Sequence, residues 1–429
     1  GEGLAIAPSS KPWVVAVPFS LPGERIRARV YRNVRLYSLA DLVRVEEPNS
    51  SMRDMSRVGC KYFGECGGCQ YQVLSYETQL DLKRSVVVRA YQLFSDLPQE
   101  SVPEILPTAP SPLQYGYRTK ITPHFEAPIK GPRRGKNSMP NVETKVPDTV
   151  PIGFNMSGKR VLDIEECPIA TPVINRALGP LRQGVIENLH TYKKGASLLL
   201  RNSLQSSGDP PTEEEICVTD FKSQVRERVG DMLFEYSANS FFQNNNSILT
   251  SLVDYVRKAI FTERSPKTQT PTHLVDAYCG SGLFSIMLSP HFTKIAGIEL
   301  SSDSIASATK NAELNNLPEG KVTFRAGDAA HIFQSVPDFP ASETAVIIDP
   351  PRKGCDENFI DQLLGFRSTT VVYVSCNVHT QARDVGMLLR KSEGDGRHGK
   401  YVLESVRGFD LFPQTSHVES VAVLRLVEK

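Results

Sequence analysis

Unbroken apolar runs separated by helix-length segments dominate the second half of the chain. Residues 345–348 (Ala-Val-Ile-Ile) and 370–374 (Thr-Val-Val-Tyr-Val) are continuous apolar stretches of strand length, the pattern of strands covered on both faces in a parallel sheet. A third run, His273-Leu274-Val275-Asp276-Ala277, passes into a glycine turn and a helix start, and a fourth, Ile295-Ala296-Gly297-Ile298, ends in Glu299. With 247–260 read as a helix, the alternation predicts an α/β, Rossmann-like unit over 235–429.

The first half has a different texture. Residues 13–19 and 25–31 are short β-rich runs around a turn at 21–24, which predicts a small OB-like β-barrel over 1–48, its first strand cut short at Glu2 and Gly3. Residues 49–234 mix strands (115–121, 152–154, 197–201, 216–219) with a helix over 76–94, whose apolar stripe is Leu80, Val86, Val87, Ala90, Tyr91 and Phe94. This reads as a central α+β domain, giving a multidomain chain. Residues 127–150 lack periodicity and carry Lys130, Arg133, Arg134 and Lys136, a loop with local positive charge.

In open α/β sheets, ligands bind outside the carboxyl ends of the strands. There the run at 345–348 delivers Asp349-Pro350-Pro351-Arg352, and the run at 370–374 delivers Ser375-Cys376-Asn377. The turn Tyr278-Cys279-Gly280-Ser281-Gly282 lets the backbone approach a ligand closely, and Glu299, ending the next strand, can take both hydroxyls of a ribose. The third glycine of a dinucleotide fingerprint is missing, which suits a nucleoside without a phosphate, S-adenosylmethionine. Asp328 in Ala326-Gly327-Asp328 would lie beside its adenine. Cys376 ends a strand at the ligand edge, whereas Cys279, Cys355 and Cys217 read as small buried hydrophobes.

Composition narrows the setting. The chain has 429 residues, a net charge of +1 and 40% hydrophobic residues. No apolar stretch approaches the ~20 residues of a membrane span, so no membrane partner is expected. It begins with Gly1, which leaves room for a removed targeting segment. Eight cysteines without regular even spacing argue for a reducing compartment and for metal or catalytic roles. The location expected is intracellular, cytoplasmic or nuclear, with a mitochondrial one also open. Three of the cysteines form Cys60-x5-Cys66-x2-Cys69 among Gly64, Gly67 and Gly68. Soft thiolates in so glycine-rich a loop select zinc or an iron–sulfur cluster, with Cys167 of Cys167-Pro168 as fourth ligand; a structural [4Fe–4S] cluster is favoured over zinc. Arg27, Arg29 and Arg32 among Tyr31 and Tyr37 offer a candidate single-stranded RNA surface.

The segments Phe241-Phe242-Gln243-Asn244, Asp276 to Phe284, Ile298-Glu299, Asp349-Pro350-Pro351-Arg352, Val374-Ser375-Cys376-Asn377 and Phe409-Asp410-Leu411-Phe412-Pro413-Gln414-Thr415-Ser416-His417-Val418-Glu419 together resemble the S-adenosylmethionine-dependent RNA uracil-5-methyltransferases. The resemblance extends over essentially the whole chain and is strongest to the fungal and eukaryotic transfer RNA branch. It implies a TRAM domain in front, a cluster-bearing centre and a methyltransferase domain behind. It further implies that Gln243, Tyr278, Glu299 and Asp349 contact the cofactor, that Cys376 is the nucleophile and that Glu419 accepts a proton. The expected partner is tRNA, with ribosomal RNA as the alternative because ribosomal members carry the cysteine cluster, and a non-catalytic RNA-binding or chaperone protein as the reading from another class, whose mark would be loss of Cys376 or Glu419; no DNA is expected, and the protein is expected to be a monomer. Chemistry supports the residue types: uracil carbon 5 becomes nucleophilic when a thiolate adds to carbon 6, and a carboxylate then removes the carbon-5 proton. The base must leave its stack to reach the thiol, against walls expected from Phe242, Pro350 and Phe412.

Overall fold

The computed structural model describes residues 2–8, 12–126, 149–156, 160–207, 212–262, 269–327, 332–333, 335–394 and 399–427. The basic loop expected over 127–150 falls almost entirely outside them, as does Asp328. Two compact units emerge, each assembled from two stretches of chain: residues 1–75 with 115–221, and residues 76–114 with 222–429.

The first unit is built of small sheets. Its N-terminal sheet pairs Glu2–Ile6, Val14–Pro18, Tyr37–Glu47 and Arg25–Asn33 in that order. Val15, Val17 and Ala40 form its interior. Arg25–Asn33 is exposed along nearly its whole length, yet Arg27 pairs with Glu46 at 3.1 Å and Arg29 with Asp41 at 3.6 Å. The basic face read from sequence is thus partly neutralised by carboxylates of the neighbouring strand. Two further sheets, of four and three strands, share a core with helix Pro172–Glu187 through Ile121, Phe125, Ile152, Ile174, Leu178 and Leu200.

The second unit centres on an eight-stranded sheet. Its strands are β1 (Leu106–Ala109), β2 (His273–Ala277), β3 (Lys294–Glu299), β4 (Val322–Ala326), β5 (Thr344–Ile348), β6 (Thr370–Ser375), β7 (Lys400–Phe409) and β8 (Glu419–Val427). They lie in the order β4-β3-β2-β5-β6-β8-β7-β1. The five strands from β4 to β6 are parallel, whereas β8 runs antiparallel to both neighbours. Strand order reverses between β2 and its neighbours β3 and β5, the switch point at which such sheets bind ligands.

Segment 76–114 departs from the expected central domain of 49–234. Helix Tyr76–Phe94 packs Val87, Ala90 and Tyr91 into the same core as Val275, Val346, Val371, Tyr373 and Val385, and β1 extends the sheet beside β7. Its buried face also differs from the expected stripe: Gln79 and Lys83 are enclosed, while Phe94 is 47% exposed and rests on the His379 ring. The polar pair is tolerated because both side chains find buried polar partners on this unit.

Candidate active site

Four parallel strands end at one edge, and each presents a residue singled out in the sequence. After β2 the chain turns through Tyr278, whose φ of 64° is left-handed, and through Gly280 and Gly282 at φ 54° and 91°. A Cβ on Gly282 would stand 3.1 Å from the Phe324 ring and 3.0 Å from Ile286, so this turn requires glycine for both conformation and space. Glu299, ending β3, accepts from the Gly280 amide at 3.3 Å and the Ser301 amide at 3.0 Å, fixing its carboxylate beside the turn. Asp349 follows β5, its amide bonded to Ala277 O at 3.3 Å. Cys376 follows β6.

These residues line one cavity of about 570 Å³, which Gln243, Tyr278, Cys279, Gly280, Glu299, Asp349, Pro350, Arg352 and Cys376 share with Phe241 and Phe242. That volume lies within the range of cofactor sites. Phe242 is buried and stacks on Tyr236 at 4.6 Å, which holds the segment carrying Gln243. Phe242 and Pro350 are walls as expected; Phe412 does not line the cavity and instead faces His417 with ring centroids 6.0 Å apart. Gly327 and Ile332, on either side of the undescribed stretch that contains Asp328, both reach the lining.

Glu419 is not a lining residue, and it is not an exposed strand residue either, being 3% exposed. The antiparallel ladder between β6 and β8 ends at Ser375 opposite Ser420, so the next pair in register is Cys376 with Glu419. Because β8 runs against its neighbours, its first residue arrives at the edge where the parallel strands deliver their last.

Electrostatics bind these groups together. Burial pushes the Asp276 carboxyl up to about 7, with Glu299 adding, although Ser285 donates its amide at 2.9 Å and its hydroxyl at 2.6 Å. Asp349 is likewise raised to about 7 by burial and by the charges of Asp276 and Glu299. Burial lifts the Cys376 thiol to about 11, Glu419 and Asp349 add to the rise, and Arg352 opposes it by charge and by a hydrogen bond. Glu419 is raised to about 8 by burial and Asp349, again opposed by Arg352.

Arg352, which lines the cavity and whose charge reaches both Cys376 and Glu419, is the candidate that sequence reading passed over, although it ends the Asp349-Pro350-Pro351-Arg352 motif. Its signal was a cation immediately beyond the two prolines. The loop behind it is fixed by helix Val378–Gly394: Asn377 Nδ2 and Thr380 Oγ1 donate to Arg352 O at 2.9 and 3.2 Å, and Asp384 accepts from the Cys355 amide at 2.7 Å and Tyr373 hydroxyl at 2.8 Å.

The four expected metal ligands belong to the first unit. Cys66 bridges to Met156, and Cys167 is held at both backbone atoms by Asn175, at 2.9 and 3.0 Å. Burial raises all four thiols, Cys69 to about 12 and Cys167 to about 11; the charges of Cys60 and Cys66 add to the rise in both. Among the described residues no three His, Cys, Asp or Glu side chains converge as a set for a single metal ion.

The sheet order and the cavity at its switch point define a methyltransferase of the Rossmann-like class. Over residues 214–427 the chain matches the family model for tRNA (uracil-5-)-methyltransferase. It is 45% identical to the tRNA (uracil(54)-C(5))-methyltransferase of Schizosaccharomyces pombe, over all of this chain and 76% of that protein, and 38% identical to that of Saccharomyces cerevisiae, over 72% of it. Its fold is similar to the crystal structure of the Pyrococcus abyssi tRNA (uracil-54, C5)-methyltransferase in complex with S-adenosyl-L-homocysteine, with a TM-score of 0.66 and 24% identity, covering 99% of this chain and 100% of that one. The chain belongs to the tRNA (uracil-5-)-methyltransferase family.

Proposed function

We propose that the protein transfers a methyl group from S-adenosylmethionine to carbon 5 of uridine 54 in tRNA, through a transient bond between Cys376 and carbon 6. The observation that carries the reading is the ladder that ends at Ser375 opposite Ser420 and so leaves a strand-end thiol, Cys376, next in register to a buried carboxylate, Glu419, beside a cavity ringed by Tyr278, Glu299 and Asp349. Family membership supports the choice of RNA and nucleotide.

Cofactor binding falls to Glu299 at the ribose, to Gln243, Tyr278 and Gly280 along the cavity wall, and to Asp349 near the sulfonium. Asp328 is assigned to the adenine from sequence. Arg352 stabilises the Cys376 thiolate, whose proton passes to solvent, and the thiolate bonds to carbon 6; the electron pair of the ring double bond moves to the exocyclic oxygen. Carbon 5 then attacks the methyl group, and the donor leaves as the neutral thioether. Glu419 takes the carbon-5 proton, the ring double bond re-forms and the thiolate departs. A carboxylate raised to about 8 is a stronger base than an exposed one, which suits removal of a carbon-bound proton near neutral pH.

The N-terminal four-stranded sheet supports the TRAM assignment, and its exposed Tyr31 and Arg32 would be available to RNA. Cys60, Cys66, Cys69 and Cys167 would hold a [4Fe–4S] cluster. Each cysteine then meets a different iron, so a single-ion ligand set is not required, and the mutual repulsion of four thiolates is relieved by the cluster's iron. Its role is structural; no step above draws on it. Incubating the protein with S-adenosylmethionine and a tRNA transcript, followed by nucleoside mass spectrometry, tests the function. 5-Methyluridine should form in the native transcript and not in one with cytidine at position 54. Methylation of ribosomal RNA in preference to tRNA would overturn the choice of substrate.

A further inference from the structure

Helix Tyr76–Phe94 carries its polar residues on the wrong side for a surface helix. Lys83 is wholly buried, pairs with the equally buried Asp410 and donates to Phe412 O at 2.9 Å. One turn earlier, Gln79 accepts from the Gln414 amide and donates to the Gln414 side chain, both at 3.0 Å. All of these partners lie in the loop 410–418, which joins β7 to β8 and delivers Glu419. On its other side the loop is tied to the segment two residues beyond Gln243, since Asn245 Nδ2 donates to Leu411 O at 3.1 Å and to Ser111 Oγ at 3.0 Å. Two turns beyond Lys83, Tyr91 bonds Gln381 at 3.3 Å, and Gln381 donates to Tyr373 O on β6 and Ser420 O on β8 at 2.8 and 3.1 Å. One helix face thus touches the loop before Glu419 and, through Gln381, both strands that carry the reacting pair.

We infer that Lys83 is a positioning residue for the proton-abstraction step: by fixing the loop 410–418 it holds the Glu419 carboxylate opposite Cys376. A buried ion pair is weak ground for stability, because well-packed apolar residues often replace one without loss, and its better attested use is to specify one geometry. The loop needs such specification. Gln414 sits at φ 69°, and nothing in an apolar contact would select that backbone over a neighbouring one. Lys83 acts chiefly on the later half of the reaction, since addition of Cys376 and transfer of the methyl group precede any need for the carboxylate as a base.

This inference rests on Glu419 being the base, and the test separates the two. Lys83→Met, Lys83→Met/Asp410→Leu and Glu419→Gln are compared with the wild-type chain on tRNA containing ordinary uridine, by single-turnover methyl transfer, steady-state turnover and denaturing gels. A misplacement of about 1 Å can cost on the order of a hundredfold. Both Lys83 variants should therefore keep the methyl-transfer burst, lose at least about tenfold in turnover, and accumulate a gel-stable protein–tRNA adduct that carries the methyl group. The double variant removes both charges and remains informative if the single variant folds poorly. Adduct in Glu419→Gln but in neither Lys83 variant, or burst and turnover falling together, overturns the positioning role. Absence of adduct in Glu419→Gln overturns the base assignment itself, and the inference with it.

Discussion

Replacing Arg352 by Met should make Cys376 a poorer nucleophile by a predictable amount. The guanidinium opposes three influences that push the Cys376 thiol up to about 11, namely burial, Glu419 and Asp349. A charge-assisted hydrogen bond contributes about 1.5–3 kcal/mol. Arg352 lines the cavity and is exposed, so solvent screening favours the lower end of that range. At 1.36 kcal/mol per pKa unit the loss corresponds to about one unit, or about tenfold less thiolate at any pH well below the midpoint. Alkylation of Cys376 by iodoacetamide, followed by peptide mass spectrometry between about pH 7 and pH 11, reads this directly. Across that range both curves lie at or below their midpoints, so the variant should alkylate about tenfold more slowly than wild type at each pH, with the same slope. Identical curves would refute the claim that Arg352 tunes the thiol.

Other consequences follow from the same geometry. Glu299→Gln keeps a hydrogen-bonding side chain but loses the charge that would hold a ribose diol, and S-adenosylhomocysteine affinity by calorimetry should fall about tenfold, as expected for a charged hydrogen bond; unchanged affinity would move the ribose elsewhere. Asp276, Asp349 and Glu419 rise from ordinary values of 3.8, 3.8 and 4.5 to about 7, 7 and 8. The folded protein holds protons that the unfolded chain has released, so the stability they contribute is complete below about pH 4 and is lost as pH rises through about 7 to 8. The melting temperature of the cofactor-free protein should fall across that window, and Asp349→Asn should flatten the fall; a slope unchanged by the substitution would contradict the assignment. A Cβ on Gly386 would lie 1.7 Å from Ser95 O, so Gly386→Ala should cost about 1–3 kcal/mol through overpacking, read by urea denaturation, with the pH profile of alkylation unchanged.

The parts of the site legible in the sequence are those at the ends of apolar runs. Cys376, Asp349 and Glu299 announce themselves because a polar residue of distinctive chemistry interrupts a buried strand where a parallel sheet exposes its carboxyl edge. Glu419 was legible only through family resemblance: its place opposite Cys376 depends on β8 running backwards between β6 and β7, a non-local pairing that no periodicity records. The helix at 76–94 was placed correctly in the chain and incorrectly in the fold. Gln79 and Lys83 fell outside the expected core stripe because their partners, Gln414 and Asp410, lie on the far side of the sequence. For the same reason Phe94 was counted as core, although it lies 47% exposed, and Phe412 as a wall of the cavity, although it turns toward His417. Arg27 and Arg29 were read as part of an RNA surface, and their carboxylate partners Glu46 and Asp41 went unseen because only strand pairing brings them together.

The central claim is that the Cys376 sulfur bonds to the uracil ring. It is tested most directly by mixing the protein with S-adenosylmethionine and tRNA carrying 5-fluorouridine, whose fluorine cannot be removed as a proton, and by measuring the intact mass of the denatured protein. Wild-type protein should gain the mass of one methylated tRNA, with the crosslink on the peptide containing Cys376, and Cys376→Ala should gain nothing. A crosslink that persists in Cys376→Ala, or that maps to another residue, would contradict the account.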